Sequence, residues 1–273
     1  MLIIKTVEEL KKVLFLIRSN GKSVGFVPTM GALHEGHLSL AKKARCENEV
    51  VVCSIFVNPL QFNNSSDLAS YPRSLDADVA LLDPFVDIVF APSVEELLSE
   101  RPQEEYHFEE LESVMEGVAR PGHFNGVVII VKLFLSLVDP DKAYFGEKDY
   151  QQLLIIKQLV KQEKFKVDII ACPIIRDENG LALSSRNKLL TEQERLLASR
   201  IHVILQTSKK YINVIQQAKE FVIQQINLIP EFKLDYFEIA DQNSLQKTDN
   251  SKNAMGFIAV YIGKVRLIDN IKY

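Results

Sequence analysis

Two histidines, His34 and His37, stand three residues apart in VPTMGALHEGHLSLAKK (27–43), where an apolar run ends and a helical pattern begins. Imidazoles in that place suit three chemistries: filling a core, ligating a metal, or presenting donors to a phosphate. The spacing is not that of a zinc protease, whose histidines lie four apart with a glutamate base between them. No cysteine lies close enough in sequence to complete a ligand set, so no metal site is expected. A helix start after a strand offers N–H groups and the positive end of the helix dipole to an anion. Gly36 would let a phosphate or a flat ring approach the backbone. Taken alone, two solvated histidines at a helix start would account for the pattern as well.

Three further stretches carry polar groups in comparable places. SIFVNPLQF (54–62) sets Asn58 and Gln61 at the end of an apolar run. Side-chain amides donate and accept at once, which suits a substrate with hydroxyls and a carboxylate, although Asn-Pro by itself marks a turn. AYFGEKDYQQLLI (143–155) repeats the order strand, glycine turn, helix, with Lys148 placed for a phosphate and Gln152 one turn into the helix for the substrate. Asp149 there reads equally as a helix N-cap. LALSSRNKLLT (181–191) offers Ser184, Ser185 and Arg186 just before a helix, a set that can wrap a polyphosphate or line an exposed loop. Together the four stretches put donors at successive carboxyl ends of one sheet. Scattered solvated residues would not fall that way.

The elements needed to hold these groups are legible in the hydropathy. Runs 23–27, 49–57, 86–92, 143–146 and 167–173 read as strands, apolar nearly throughout. Segments 37–47, 74–83, 125–138 and 149–161 read as the helices between them. That alternation predicts a parallel α/β sheet covered on both faces, with ligands at its carboxyl edge. The character changes near residue 176. Residues 191–228 read as two helices, opened by a capping box at Thr191 and Glu194. KLDYFEIAD (233–241) reads as a strand, 242–255 as a polar connection, and 256–270 as two strands about Gly263-Lys264. This predicts a parallel α/β domain over 1–176 and a smaller α+β domain over 177–273. The stretch 176–187 has few apolar anchors before Leu181, which predicts a loop held loosely until a ligand recruits it.

Composition narrows the classes. The chain has 273 residues, 47% hydrophobic and 25% charged, with a net charge of −4. That balance advertises neither nucleic acid nor an anionic membrane. The opening MLIIKTVEELKK is no signal peptide, and no run of about 18 apolar residues suggests a span. Cys46, Cys53 and Cys172 are widely spaced and odd in number, as expected of reduced thiols in a cytoplasmic protein.

The runs VPTMGALHEGH, SIFVNPLQF, DLASYPRSL, RPGHFNGV, PDKAYFGEKDYQQL, GLALSSRN and VRLIDN closely resemble the pantoate–β-alanine ligase (pantothenate synthetase) family, over nearly the whole length. The HxGH turn alone marks a broader superfamily of nucleotidyl-transferring folds; GEKDxQQ, SSRN and SIFVNPxQF in this order are specific. The resemblance implies a Rossmann-like catalytic domain with a C-terminal lid, acting on pantoate, β-alanine and ATP with Mg2+. Pantoyl adenylate forms first, and the amine of β-alanine then displaces AMP. It implies that Met30, Gly31, Ala32, Leu33, His34, Glu35, Gly36 and His37 cradle ATP, with His37 the commonly assigned proton donor. Gly146, Glu147, Lys148, Asp149, Leu183, Ser184, Ser185 and Arg186 would join them, with Ile175 beside the adenine. His34, His37, Lys148 and Arg186 form the expected catalytic set. Gln61 and Gln152 would hold pantoate, and Asn58, Tyr71 and Arg120 would line its pocket. Asn125 departs from the pattern, standing where the family more often carries a charge. A homodimer is implied too, with the strand at 49–57 apolar enough to be buried in its interface. The rivals are another adenylate- or cytidylate-forming enzyme on this fold, and an RNA-binding remnant of a synthetase core, against which the net charge counts.

Overall fold

A computed structural model describes residues 1–99 and 104–273. The chain begins with β1 (Leu2–Ile4), α1 (Val7–Ser19), β2 (Val24–Thr29), α2 (Glu35–Glu47) and β3 (Val50–Ile55). A 3-10 turn at Pro59–Gln61 leads to α3 (Ser65–Ser70), α4 (Leu75–Leu82), β4 (Ile88–Phe90) and α5 (Val94–Leu97). Next come α6 (Met115–Ala119), α7 (His123–Val138), β5 (Lys142–Gly146), α8 (Tyr150–Gln162) and β6 (Asp168–Cys172). The remainder is α9 (Glu192–Ala198), α10 (Arg200–Ser208), α11 (Ile215–Asn227), β7 (Phe232–Asp241), β8 (Ala254–Ile262) and β9 (Val265–Lys272). Two compact units result. One comprises Met1–Phe108, Arg120–Glu147 and Gln152–Pro173; the other comprises Glu109–Ala119, Lys148–Gln151 and Ile174–Tyr273. The second gathers the C-terminal stretch from Ile174 onward with two earlier segments that a single boundary near 176 does not contain.

The first unit is a six-stranded parallel sheet in the order β1-β4-β3-β2-β5-β6. Alternation along each strand sends neighbouring side chains to opposite faces. Val27, Val51, Cys53 and Val89 share one cluster with Leu38, Leu40, Ala41 and Ala44 of α2. On strand positions of the other parity, Phe26 and Phe90, together with Phe56, meet Phe134 of α7 edge-on, with ring centroids 5.8, 6.1 and 6.0 Å away. Edge-to-face pairs of this kind add about 0.5–1.5 kcal/mol each beyond area burial. The strand read as a dimer face is interior instead. β3 pairs with β2 on one side and β4 on the other, and Val50–Ser54 are all buried. Its apolar run is used up by the sheet's own two faces.

Strand order reverses at β2, whose neighbours β3 and β5 begin chains of strands running outward in opposite directions. In open α/β sheets the crevice outside the carboxyl ends at such a switch point receives the ligand. The turns after β2 and β5 both lie there. They are the turns that carry His34 and Glu147.

In the second unit β7, β8 and β9 form an antiparallel sheet in that order. Ala198, Ile201, Leu205, Ala218, Val222 and Ile226 pack with Phe237, Ile258, Val260 and Ile271 in its core. The capping box at Thr191 and Glu194 is formed. The helical stretch 191–228 breaks into three α-helices, because α9 and α10 are separated at Ser199 and a 3-10 turn at Lys209–Tyr211 precedes α11. Apolar spacing continues through Ser199 in sequence, so periodicity does not mark that break. Among the described residues no helix is long and apolar enough to cross a membrane.

Candidate active site

The turn from β2 into α2 is tied down at every step. Thr29 Oγ1 donates to Ser54 O at 2.7 Å and accepts from Gly31 N at 3.2 Å. Gly31 and Ala32 then take left-handed backbone angles, φ 79° and 52°. The N–H groups of Ala32 and Leu33 donate to the two carboxylate oxygens of Asp78, at 2.9 and 2.7 Å. His34 is the N-cap of α2, its Nδ1 accepting from Gly36 N at 3.1 Å. With Nδ1 accepting, the ring proton of neutral His34 resides on Nε2, a hydrogen-bond donor. The His34 and His37 rings lie 4.1 Å apart, centroid to centroid.

This geometry changes the expected use of the turn. The N–H groups of Gly31, Ala32, Leu33 and Gly36 go to protein acceptors, and that of His37 goes to His34 O at 2.8 Å. The helix N-terminus is therefore not the bare cradle of amides that its position suggests. The donors brought together here are imidazoles.

Gln61 ends the 3-10 turn after β3 and is held by its surroundings. Its Oε1 accepts from Asn58 Nδ2 at 3.0 Å, and its Nε2 donates to Met30 Sδ at 2.9 Å. Asn58, expected in the pocket lining, is only 2% exposed. Its Nδ2 also donates to Gly126 O at 2.9 Å, and its Oδ1 accepts from Leu60 N at 3.0 Å. It is a strut beneath Gln61. Gly126 is obligatory in this packing, since a Cβ there would lie 2.2 Å from Leu60 O. Arg120 Nη1 lies 3.0 Å from His123 Nε2, and His123 Nδ1 lies 2.9 Å from Gln61 O. Arginine can only donate, so Nε2 accepts and Nδ1 carries the proton that it donates to the Gln61 carbonyl. Arg120 Nη2 reaches the same carbonyl at 3.3 Å. Tyr71 is buried with its ring against Phe62. Asn125 Oδ1 accepts from Tyr106 N at 2.9 Å, a bond that an aspartate would make equally well.

After β5, Glu147–Asp149 make a 3-10 turn and α8 begins, with Gln152 in its first turn. Lys148 Nζ pairs with Asp149 at 3.1 Å, and the Lys148 carbonyl accepts from Asn270 Nδ2 at 3.0 Å.

Within the second unit the stretch 176–187 is not loose. Arg176 makes a bidentate pair with Asp269, at 2.6 and 2.8 Å, and reaches Gly180 O at 3.1 Å. Arg176 and Ala182 form an antiparallel bridge, and Leu183 N donates to Ile175 O at 2.9 Å. Asp177 Oδ1 accepts from Asn179 N and Leu181 N, each at 2.9 Å. Ser184 caps the 3-10 helix Ser185–Leu189 by accepting from Arg186 N at 3.3 Å. Ser185 is buried, and Arg186 is half-buried. Polar anchoring does here what the missing apolar anchors cannot.

Sequence reasoning missed Asp78 and His123. Both lie in recognised runs or helices, but nothing local shows that Asp78 reaches back 46 residues to Ala32, or that His123 is 62 residues from its acceptor. Among the described residues no cluster of three or more His, Cys, Asp or Glu forms a metal site. Burial pushes the Cys53 thiol up to about 12, with the Asp78 charge acting in the same direction, so it is no nucleophile.

The family model of pantoate-beta-alanine ligase matches residues 2–272. The pantothenate synthetase of Bacteroides fragilis (strain YCH46) is 49% identical over 279 residues, covering all of this chain and 99% of that one. The crystal structure of the pantothenate synthetase of Thermus thermophilus superposes with a TM-score of 0.94 at 41% identity, covering 100% and 99% of the two chains. The pantoate-beta-alanine ligase of Francisella tularensis, crystallised with beta-gamma ATP and β-alanine, gives 0.85 at 39% identity, covering 100% and 97%. With its switch-point histidines and its full-length match, the chain belongs to the pantoate–β-alanine ligase family.

Proposed function

We propose the following division of labour for the ATP-dependent ligation of pantoate with β-alanine. A carboxylate oxygen of pantoate attacks the α-phosphorus of MgATP, and the bond to pyrophosphate breaks. The amine of β-alanine then attacks the acyl carbon, the bond to AMP breaks, and pantothenate leaves. His34 and His37 donate hydrogen bonds to the phosphates as negative charge builds on the five-coordinate phosphorus and the leaving pyrophosphate. Preplaced donors are worth more to that step than a transferred proton. Gln61 and Gln152 hold the acid. Lys148 and Arg186 neutralise phosphate charge, Ser184 and Ser185 add hydroxyl donors, and Ile175 and Leu183 flank the nucleotide. Mg2+ arrives with ATP as part of the substrate.

The observation that carries this reading is the pair of imidazoles 4.1 Å apart on a braced turn at the sheet's switch point. The second unit serves as the lid that keeps water from the acyl adenylate, which water would hydrolyse. A homodimer follows from the family resemblance alone, now that β3 is buried inside its own sheet. Three free cysteines support a reducing, cytoplasmic setting. The test is product analysis with pantoate, β-alanine and MgATP: AMP, pyrophosphate and pantothenate are expected. Pyrophosphate–ATP exchange should require pantoate and proceed without β-alanine. Exchange that ignores pantoate, or production of ADP, would overturn the reading.

A further inference from the structure

We propose that Asp78 is a positioning residue for adenylation: from inside α4 it holds the turn Gly31–Leu33 and, through it, the His34–His37 pair. Asp78 is 3% exposed, and no ion pair to it is found among the described residues. A buried charge without a counter-ion persists only where hydrogen bonds satisfy it. Here the two adjacent N–H groups of Ala32 and Leu33 do so, one to each oxygen. Carboxylate and turn are fitted to one another. A Cβ on Gly31 would stand 2.9 Å from Asp78 Oδ2 and 3.2 Å from Ile55 Cγ2, and Ala32 is held at φ 52°, where alanine rarely stays unaided.

The arrangement inverts the usual anion loop. Amides that face a phosphate in a bare glycine turn here face a protein carboxylate, so Asp78 acts as an internal anion that completes the turn before nucleotide arrives. The imidazole of His34 caps the helix one residue beyond Leu33, so its position is inherited from that clamp. Catalytic donors lose about a hundredfold in rate for a misplacement of about 1 Å. A clamp of this kind supplies that tolerance.

The inference rests on the assignment of His34 and His37 to ATP phosphates, and its test separates the two. Asp78→Asn keeps the shape but presents an NH2 donor to one of the two N–H donors. Single-turnover formation of pantoyl adenylate should then fall by about 30- to 100-fold and the ATP KM should rise. The pantoate KM should move by less than about threefold, because Gln61 and Gln152 sit on other elements. Gly31→Ala should reproduce that pattern by pressing on the same oxygen. In the wild-type enzyme, the Ala32 and Leu33 amides should be protected from hydrogen exchange before nucleotide is added, with no further gain on adding a non-hydrolysable ATP analogue. Wild-type kinetics in a folded Asp78→Asn protein would overturn the proposal. So would Ala32 and Leu33 amides that exchange freely until nucleotide binds, a result that holds even if both variants fail to fold. His37→Ala is the control. If it leaves adenylation intact, the phosphate assignment has failed; if it abolishes adenylation while Asp78→Asn does not, only the clamp has failed.

Discussion

His34 carries two roles on one ring, a cap through Nδ1 and a donor through Nε2, and substitutions can separate them. His34→Ala removes both, so it should cost about 1 kcal/mol of stability and also weaken ATP binding. His34→Asn keeps an oxygen able to cap the helix. It should recover thermal stability without recovering ATP affinity, as melting curves and ATP titrations would show; equal recovery of both would refute the assignment of Nε2. His37→Ala should slow adenylation by about 10²-fold or more. For the amides, Gln61→Ala and Gln152→Ala should each raise the pantoate KM roughly tenfold to a hundredfold, since a hydrogen bond to a charged ligand is worth about 1.5–3 kcal/mol. The ATP KM should hardly change, and an equal rise in both constants would mean the pocket is mapped wrongly. The thiols give a simpler check. Cys46 is exposed while Cys53 and Cys172 are buried, and burial pushes the latter two up to about 12 and about 11. At pH 8 a thiol reagent should titrate one group in the native protein and three after unfolding.

Among elements, the hairpin 176–187 departs furthest from its sequence. Small and polar residues without apolar anchors read as a loose loop, yet Arg176, Asp177 and Asp269 convert that polarity into a closed turn. Amides of Asp177, Leu181 and Leu183 should therefore be protected in the free protein, because the first two donate to each other's residues and Leu183 donates to Ile175 O just before the hairpin. Asp269→Asn should lower that protection in a hydrogen-exchange experiment and raise the ATP KM, since Ser184 and Arg186 follow directly. A hairpin that stays equally protected in the variant would show that the ion pair is not what holds it. The opposite kind of miss occurs at the N-terminus. β1 pairs with β4, and Thr6 accepts from Glu9 N at 3.3 Å to cap α1. The Thr-x-x-Glu signal for that helix was present in the sequence. The partner for a three-residue strand was not, because β4 lies more than 80 residues away.

Over the whole molecule, the chain leaves and re-enters its second unit. Residues 109–119 belong there through Glu116, whose oxygens accept from Arg266 Nη1 at 2.9 Å, Nη2 at 2.7 Å and Tyr236 Oη at 2.8 Å. Burial foremost, and then the Glu116 charge, push the Tyr236 hydroxyl upward, so it stays a donor. Glu116→Ala would strand a largely buried guanidinium with Asp235 as its remaining acid. The expected loss is about 3 kcal/mol, the low end for a broken buried pair because that partner persists. A lowered urea midpoint, with faster exchange at Ile258 and Val260, would report it. No change in midpoint would mean that the ion cluster is energetically idle.

By itself the sequence determined the alternation of buried strands and helices, the capping box at Thr191 and the motifs that mark the family. All of these are written in local periodicity or in contiguous residues. Tertiary structure alone decided that amides of the histidine turn are spent on Asp78, that Asn58 is a buried strut beneath Gln61, that β3 is interior, and that the 176–187 stretch is anchored. Each depends on a hydrogen bond or a strand pairing between residues distant in sequence. Such partners are chosen by the fold's packing, which no local pattern encodes.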